Sequence, residues 1–248
     1  MSLSLKVCSG IGLGLFALCS LQSAQAQDAK AIFKKMASTY ANAKTYQATI
    51  EANMVSGQGP MTLKMEVKKS GTKMASRTTG SGAAAAKSMG MNSLIIDDGK
   101  MVSMTLPQMR QYVRVPHTAG NNPLLGMSAM MIPSNMVKQL EQDKESVYKL
   151  LPPTNFNGKP VYAIEAFNPK NKKVMATLLV DKTSYYIKQI KVSPAPKTDI
   201  TIVFKNEKVN VPISDKFFVF TPPKGYAEMK NPFGGGGGMG MAPGGNPR

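Results

Sequence analysis

Tyr46-Gln47-Ala48-Thr49-Ile50-Glu51-Ala52-Asn53-Met54 decides the fold class, together with Met61-Thr62-Leu63-Lys64-Met65-Glu66-Val67-Lys68. Apolar and polar residues alternate with period two in both stretches. In a strand, successive side chains point to opposite faces. Gly57-Gln58-Gly59-Pro60 separates the two runs and supplies turn residues. The reading is a hairpin with one apolar and one polar face, which belongs to an antiparallel sheet resting on a core.

The pattern continues on both sides of this hairpin. Upstream, Ala29, Ile32, Phe33, Met36 and Tyr40 recur at helical spacing, which predicts a helix to about Ala43 with Asp28 as its N-cap. Downstream, residues 80–92 lack patterning and read as a loop. Leu94-Ile95-Ile96 and Met101-Val102-Ser103-Met104 read as a second hairpin turning at Asp98-Gly99. Tyr112, Val113 and Val115 predict a further strand. Residues 121–145 hold an apolar insert that predicts one or two short helices broken at Pro133, with Ser134 as a cap. Strand patterning returns over 147–151, 160–167, 173–180, 184–193 and 198–205. Asn157-Gly158 and 205–208 are turn candidates, and Phe217 to Phe220 is a last short strand. A leading helix, many evenly spaced one-sided strands and one helical insert predict a mainly β (α+β) fold: a large curved antiparallel sheet or open barrel.

The first 26 residues have the layout of a secretory signal peptide. Lys6 precedes an uncharged apolar stretch over 7–21, and Ala24-Gln25-Ala26 is a small-x-small site with cleavage expected after Ala26. The apolar stretch is short for a membrane span. Cys8 and Cys19 are the only cysteines and leave with this segment. The exported chain then has no disulfide, and its core must hold it together unaided. Residues 28–230 read as one domain. Residues 231–248, rich in glycine and methionine, cannot bury a core and read as a disordered tail.

The inventory argues against covalent chemistry. His117 is the only histidine and sits beside Pro116, with no G-x-S-x-G elbow anywhere. Asp97-Asp98 is ordinary turn chemistry, because adjacent strand residues point apart. Gly234–Gly238 is not followed by the Lys-Ser/Thr of a phosphate loop. No catalytic residue, metal site or cofactor is expected.

The chain carries 31 basic and 14 acidic residues, a formal charge of +17. Removal of Lys6 leaves +16, from 30 basic against 14 acidic residues. The lysines mostly alternate with apolar residues in predicted strands, which places them on solvated faces. In an exported protein this charge does not indicate nucleic acid. It suits transient attraction to an anionic membrane surface. Met1 aside, 18 methionines remain and there is no tryptophan. Methionine is flexible and suits surfaces that accommodate varied apolar partners. A Met-rich insert over an open sheet would be a lid above an apolar cavity.

The order of features resembles the periplasmic outer-membrane lipoprotein carrier (LolA-like) superfamily over nearly the whole 28–230 region. Thr45 to Ile50 is similar to the family's first strand, and Ile95-Ile96-Asp97-Asp98-Gly99-Lys100 to its "DGK" hairpin. Asn122-Pro123-Leu124-Leu125 is similar to the start of its lid segment. Phe218-Val219-Phe220-Thr221-Pro222-Pro223-Lys224-Gly225 is similar to its terminal "F-x-F-x-P-P-x-G" motif. The resemblance implies an open, incomplete antiparallel β-barrel wrapping the N-terminal helix, with a short helical lid over a hydrophobic cavity. It implies a periplasmic carrier of acyl chains or lipoproteins, and a monomer is expected. Fold relatives serve as sensors, so the alternative is an extracytoplasmic sensor or interaction module that binds a protein or an anionic envelope surface. The cavity residues expected here are Ile50, Met65, Met74, Met101 and Met104. The lid residues are Leu124, Leu125, Met127, Met130 and Met131. Lys69 stands where the family has its lid-locking arginine, with Arg77 as a nearby substitute.

Overall fold

The computed structural model describes residues 14–57, 59–82, 92–118, 124–142, 147–170, 173–195 and 197–230. The proposed tail, most of the loop at 83–91 and Asn122-Pro123 lie outside these residues. So does the first part, 7–13, of the apolar stretch of the proposed signal peptide.

The first element is α1 (Gly14–Ala41). It starts upstream of the expected Asp28 cap and runs through the proposed cleavage site, so Asp28 lies inside the helix. Its buried stripe is Ala29, Ile32, Phe33, Met36, Ala37 and Tyr40, the face that helical spacing indicated.

The hairpin quoted at the start becomes β1 (Thr45–Ser56) and β2 (Gly59–Ser70), with Ile50 opposite Met65 and Ala48 opposite Val67. β3 (Lys73–Ser81), β4 (Leu94–Asp97), β5 (Met101–Leu106) and β6 (Gln111–Pro116) follow as an antiparallel meander. Asp98-Gly99 turns the β4–β5 hairpin. The Asp98 carboxylate accepts the N–H of Lys100 and Met101 at 2.7 Å, and Gly99 adopts φ +87°.

The insert forms α2 (Gly126–Met130) and α3 (Pro133–Gln142). Pro133 opens α3, where a missing N–H costs nothing, so Ser134 lies in the first turn and does not cap it. The second half of the sheet is β7 (Val147–Leu150), β8 (Thr154–Phe156), β9 (Lys159–Asn168), β10 (Lys173–Asp181), β11 (Ile187–Ala195) and β12 (Thr198–Val209).

β1 joins the halves by pairing with β2 on one side and β12 on the other. The strand order is β13-β6-β5-β4-β3-β2-β1-β12-β11-β10-β9-β7, with β8 paired to β9. The two outer edges do not pair with each other, so the sheet is open and unclosed. β13 (Ala227–Glu228) adds parallel to β6, the one parallel pairing among the described residues.

Cross-strand register divides the sheet into two faces. Ala48, Ile50, Leu63, Met65, Val67, Met104, Ile164, Leu178, Ile190 and Phe204 line the concave face and belong to one buried core with α1. Phe33 of α1 stacks on Tyr148 of β7 with ring centroids 4.3 Å apart, and the Tyr148 hydroxyl donates to the Leu140 carbonyl of α3 at 2.8 Å. The helix, the lid and the edge strand are thereby fastened together.

The convex face of β3–β6 is also covered. After a 3₁₀ turn at Asp215–Phe218, the chain crosses this face as a strap. Phe218 is 2% exposed, Phe220 packs on Tyr112 at 5.5 Å, and Lys73 pairs with Asp215 at 2.9 Å. Phe217–Phe220 is therefore not the strand that its alternation suggested. It lies on the sheet rather than within it. Ile96, Ser103 and Thr105 face the strap side and are buried.

Candidate functional site

The concave face carries mostly apolar rows, with a mixed polar and apolar row at its end. Ala48, Val67, Ser76, Ile95, Met104 and Val113 follow one another across β1 to β6, all buried and all apolar but Ser76. One step along lies the row Tyr46, Lys69, Met74, Asp97, Val102 and Val115. An apolar floor with a cationic and hydrogen-bonding rim matches an amphiphile, whose tail needs only apolar surface and whose head needs polar partners.

Ile50, Met65, Met74, Met104, Leu124 and Met131, all expected in the cavity or its lid, lie together in the core, each 8% exposed or less. Leu125 is half-buried against them. Met130 is 57% exposed on the outside of α2. Met101 stands on the convex face, because its neighbour Val102 faces inward. The side chain of Met127 lies outside the described residues. Lys69 and Arg77 fall on opposite faces. Lys69 shares the concave row with Tyr46 and Met74, whereas Arg77 is exposed on the convex side opposite Glu66. Only Lys69 reaches the rim.

Two open clefts mark the surface elsewhere. One, of about 450 Å³, lies at the junction of α1 and β1 beside Asn42, Lys44 and Asn210. The other, of about 250 Å³, lies beside the strap. Neither is lined by the expected cavity residues: α1 and the lid are seated on the floor.

Two buried polar clusters at the rim escaped the sequence reading. The Asp97 side chain is 2% exposed and lies 2.8 Å from Nδ1 of His117, whose own side chain is 20% exposed. Gly99 N–H also donates to this carboxylate at 2.9 Å. His117 is thus a partner of a buried acid, not a solvent-exposed loop residue. The pair supplies an oriented imidazole, but no nucleophile elbow accompanies it.

The second cluster is Glu207 with Tyr40, Tyr46 and Lys188. The Glu207 side chain is 1% exposed. Its Oε1 accepts the hydroxyls of Tyr40 at 3.0 Å and Tyr46 at 3.2 Å. Its Oε2 has no hydrogen-bond partner and lies 3.7 Å from Lys188 Nζ, an ion-pair distance too long for a hydrogen bond. The Tyr40 hydroxyl in turn accepts Ile187 N–H at 2.8 Å. Burial pushes the Glu207 carboxyl up to about 7, against the pull of Lys188 and the two tyrosines. Burial first, and then Glu207, raises both phenols, so they stay protonated donors. Residues 205–208, expected to turn, instead continue β12. A register shift between Gln47 and Thr49 of β1 lies beside them.

No protein-family model matches the sequence. No curated protein matches it either. Solved structures of the LolA superfamily resemble it. A LolA superfamily protein from Nitrosomonas europaea is 10% identical, covering 77% of this chain and 97% of its own, with a TM-score of 0.38. An outer membrane lipoprotein-sorting protein domain from Vibrio parahaemolyticus is 12% identical, over 78% of this chain and 97% of its own, at 0.35. LprF from Mycobacterium bovis is 9% identical, over 76% and 95%, at 0.46. At such identities residue roles do not transfer, and the site rests on this chain's own geometry. Among the described residues no group of three His, Cys, Asp or Glu could hold a metal ion, and no helix is long and apolar enough to cross a membrane.

Proposed function

We propose that the chain is a periplasmic carrier of acyl chains or lipoproteins, exported by a cleaved signal peptide and acting without covalent chemistry. One observation carries this reading: the concave face is a largely apolar floor, broken at Ser76 and Thr78 of β3, under a short helical lid, with a row containing Tyr46, Lys69 and Asp97 at one end. Opening of α2–α3 would expose Met65, Met104 and Met131 to an acyl chain, at roughly 0.8 kcal/mol per buried CH₂. Lys69 would face an anionic head.

Native mass spectrometry of protein taken from the periplasm should show bound lipid, and the lipid-free chain should take up a fluorescent fatty acid. A chain that is always lipid-free and takes up none sinks the proposal. Lys69→Gln should weaken fatty-acid binding by about 2–10-fold, the worth of one partly screened charge. Arg77→Gln on the convex face should leave it unchanged. Equal effects of the two would remove Lys69 from the rim role.

The second reading is an extracytoplasmic sensor or interaction module. It is favoured by how completely α1 and the lid fill the floor, with Ile50, Met36 and Met65 all at 1% exposure or below. Salt-sensitive retention by envelope fractions without lipid uptake would support it.

A further inference from the structure

We propose that the strap presents a docking patch for an anionic lipid bilayer on the convex side of the sheet, away from the lid. This goes beyond the carrier reading and stands whether or not the concave face binds lipid.

The strap splits its side chains. Phe218 turns in and is 2% exposed, whereas Phe217 and Val219 on either side of it are 41% and 64% exposed. Two large apolar side chains are thereby held in water on either side of a buried anchor. Cations surround them. Lys68 Nζ lies 4.3 Å from the centre of the Phe217 ring and Lys216 Nζ lies 5.8 Å from it. Lys208 stands on the same cross-strand row as Lys68, with Gln47 between them. Lys73 and Arg114 line the 250 Å³ crevice beside Phe218, which leaves room for a headgroup.

The acids there are Asp98 and Asp215, and both are engaged. Asp215 pairs with Lys73 at 2.9 Å, and Asp98 accepts the turn N–H groups of Lys100 and Met101. Asp98 stays charged, but Lys68, Lys73, Arg114 and Lys216 outnumber the two acids, so the patch is net positive. Apolar tips ringed by long cationic side chains fit the boundary between headgroups and acyl chains, where the rings bury and the lysines reach phosphate. A soluble polyanion would use the lysines and gain nothing from Phe217 or Val219, so the pairing of the two chemistries selects the bilayer.

The chain has no tryptophan, so Phe217→Trp creates a single reporter. Its emission should shift to the blue on phosphatidylcholine vesicles containing about a third phosphatidylglycerol, and not on pure phosphatidylcholine. In sedimentation with the anionic vesicles, the full chain should bind, and about tenfold more weakly in 0.5 M salt. F217S/V219S should lose at least about tenfold on vesicles yet elute from heparin at the parental salt concentration. K68Q/K216Q should lose on both. Circular dichroism and melting keep folding separate from binding. An unshifted reporter, no vesicle binding, or vesicle binding unaffected by F217S/V219S overturns the proposal. So does equal loss on heparin.

Discussion

Glu207 is the residue with the largest consequence for pH. Its folded carboxyl titrates at about 7, against an ordinary value of 4.5. The folded state therefore holds a proton that the unfolded chain releases, and folding stability falls as pH rises from about 4.5 through about 7. The whole effect is on the order of 3 kcal/mol. Glu207→Gln should match the parent at pH 4 and melt about 6–12 °C higher at pH 8. Melting curves at the two pH values check this, and a constant offset would refute it. Asp97 is the other buried acid at the rim. Asp97→Ala orphans His117 and the Gly99 N–H, and should cost about 2–3 kcal/mol in urea unfolding at pH 7. Neither cluster was legible in the sequence. Glu207 sits in a polar run, Lys205 to Lys208, that reads as a turn, and only the register beside it turns the carboxylate inward. His117 and Asp97 are separated by a hairpin, and no spacing links them.

At the scale of elements, the paired alternation of β1 and β2 was fully legible, because their apolar faces are strictly periodic. β3 was not. Of its concave residues Met74, Ser76 and Thr78 only Met74 is apolar, so no period shows. It is a strand because β2 offers it an edge. The strap misled in the opposite sense. Phe218, Val219 and Phe220 alternate like a strand because a chain lying flat on a sheet also has an inner and an outer side. Its worth is testable: Phe218→Ala should cost about 3–5 kcal/mol, the usual range for a buried phenylalanine. A loss under 1 kcal/mol by denaturant titration would mean that the strap is loosely held. The lid was legible as an insert but not in its seating, which depends on Tyr148 of β7 reaching the Leu140 carbonyl.

The whole molecule is organised by one long-range pairing. Ile50 of β1 pairs with Phe204 of β12, so the two halves of the sheet meet only when distant parts of the chain come together. Such topologies fold in milliseconds to seconds. Stopped-flow refolding, followed by tyrosine emission since tryptophan is absent, should give a main phase in that range. A microsecond phase carrying the full amplitude would contradict it.

The strap's position late in the chain also imposes an order on biosynthesis. Strands β3 to β6 are complete once Pro116 has emerged, yet Ile96, Ser103 and Thr105 on their convex side have no cover until Phe218 follows. The first half of the sheet must therefore pass through about a hundred residues of synthesis with that flank bare, a period of several seconds at the usual rate of elongation. That interval is the window in which a holdase would be needed most.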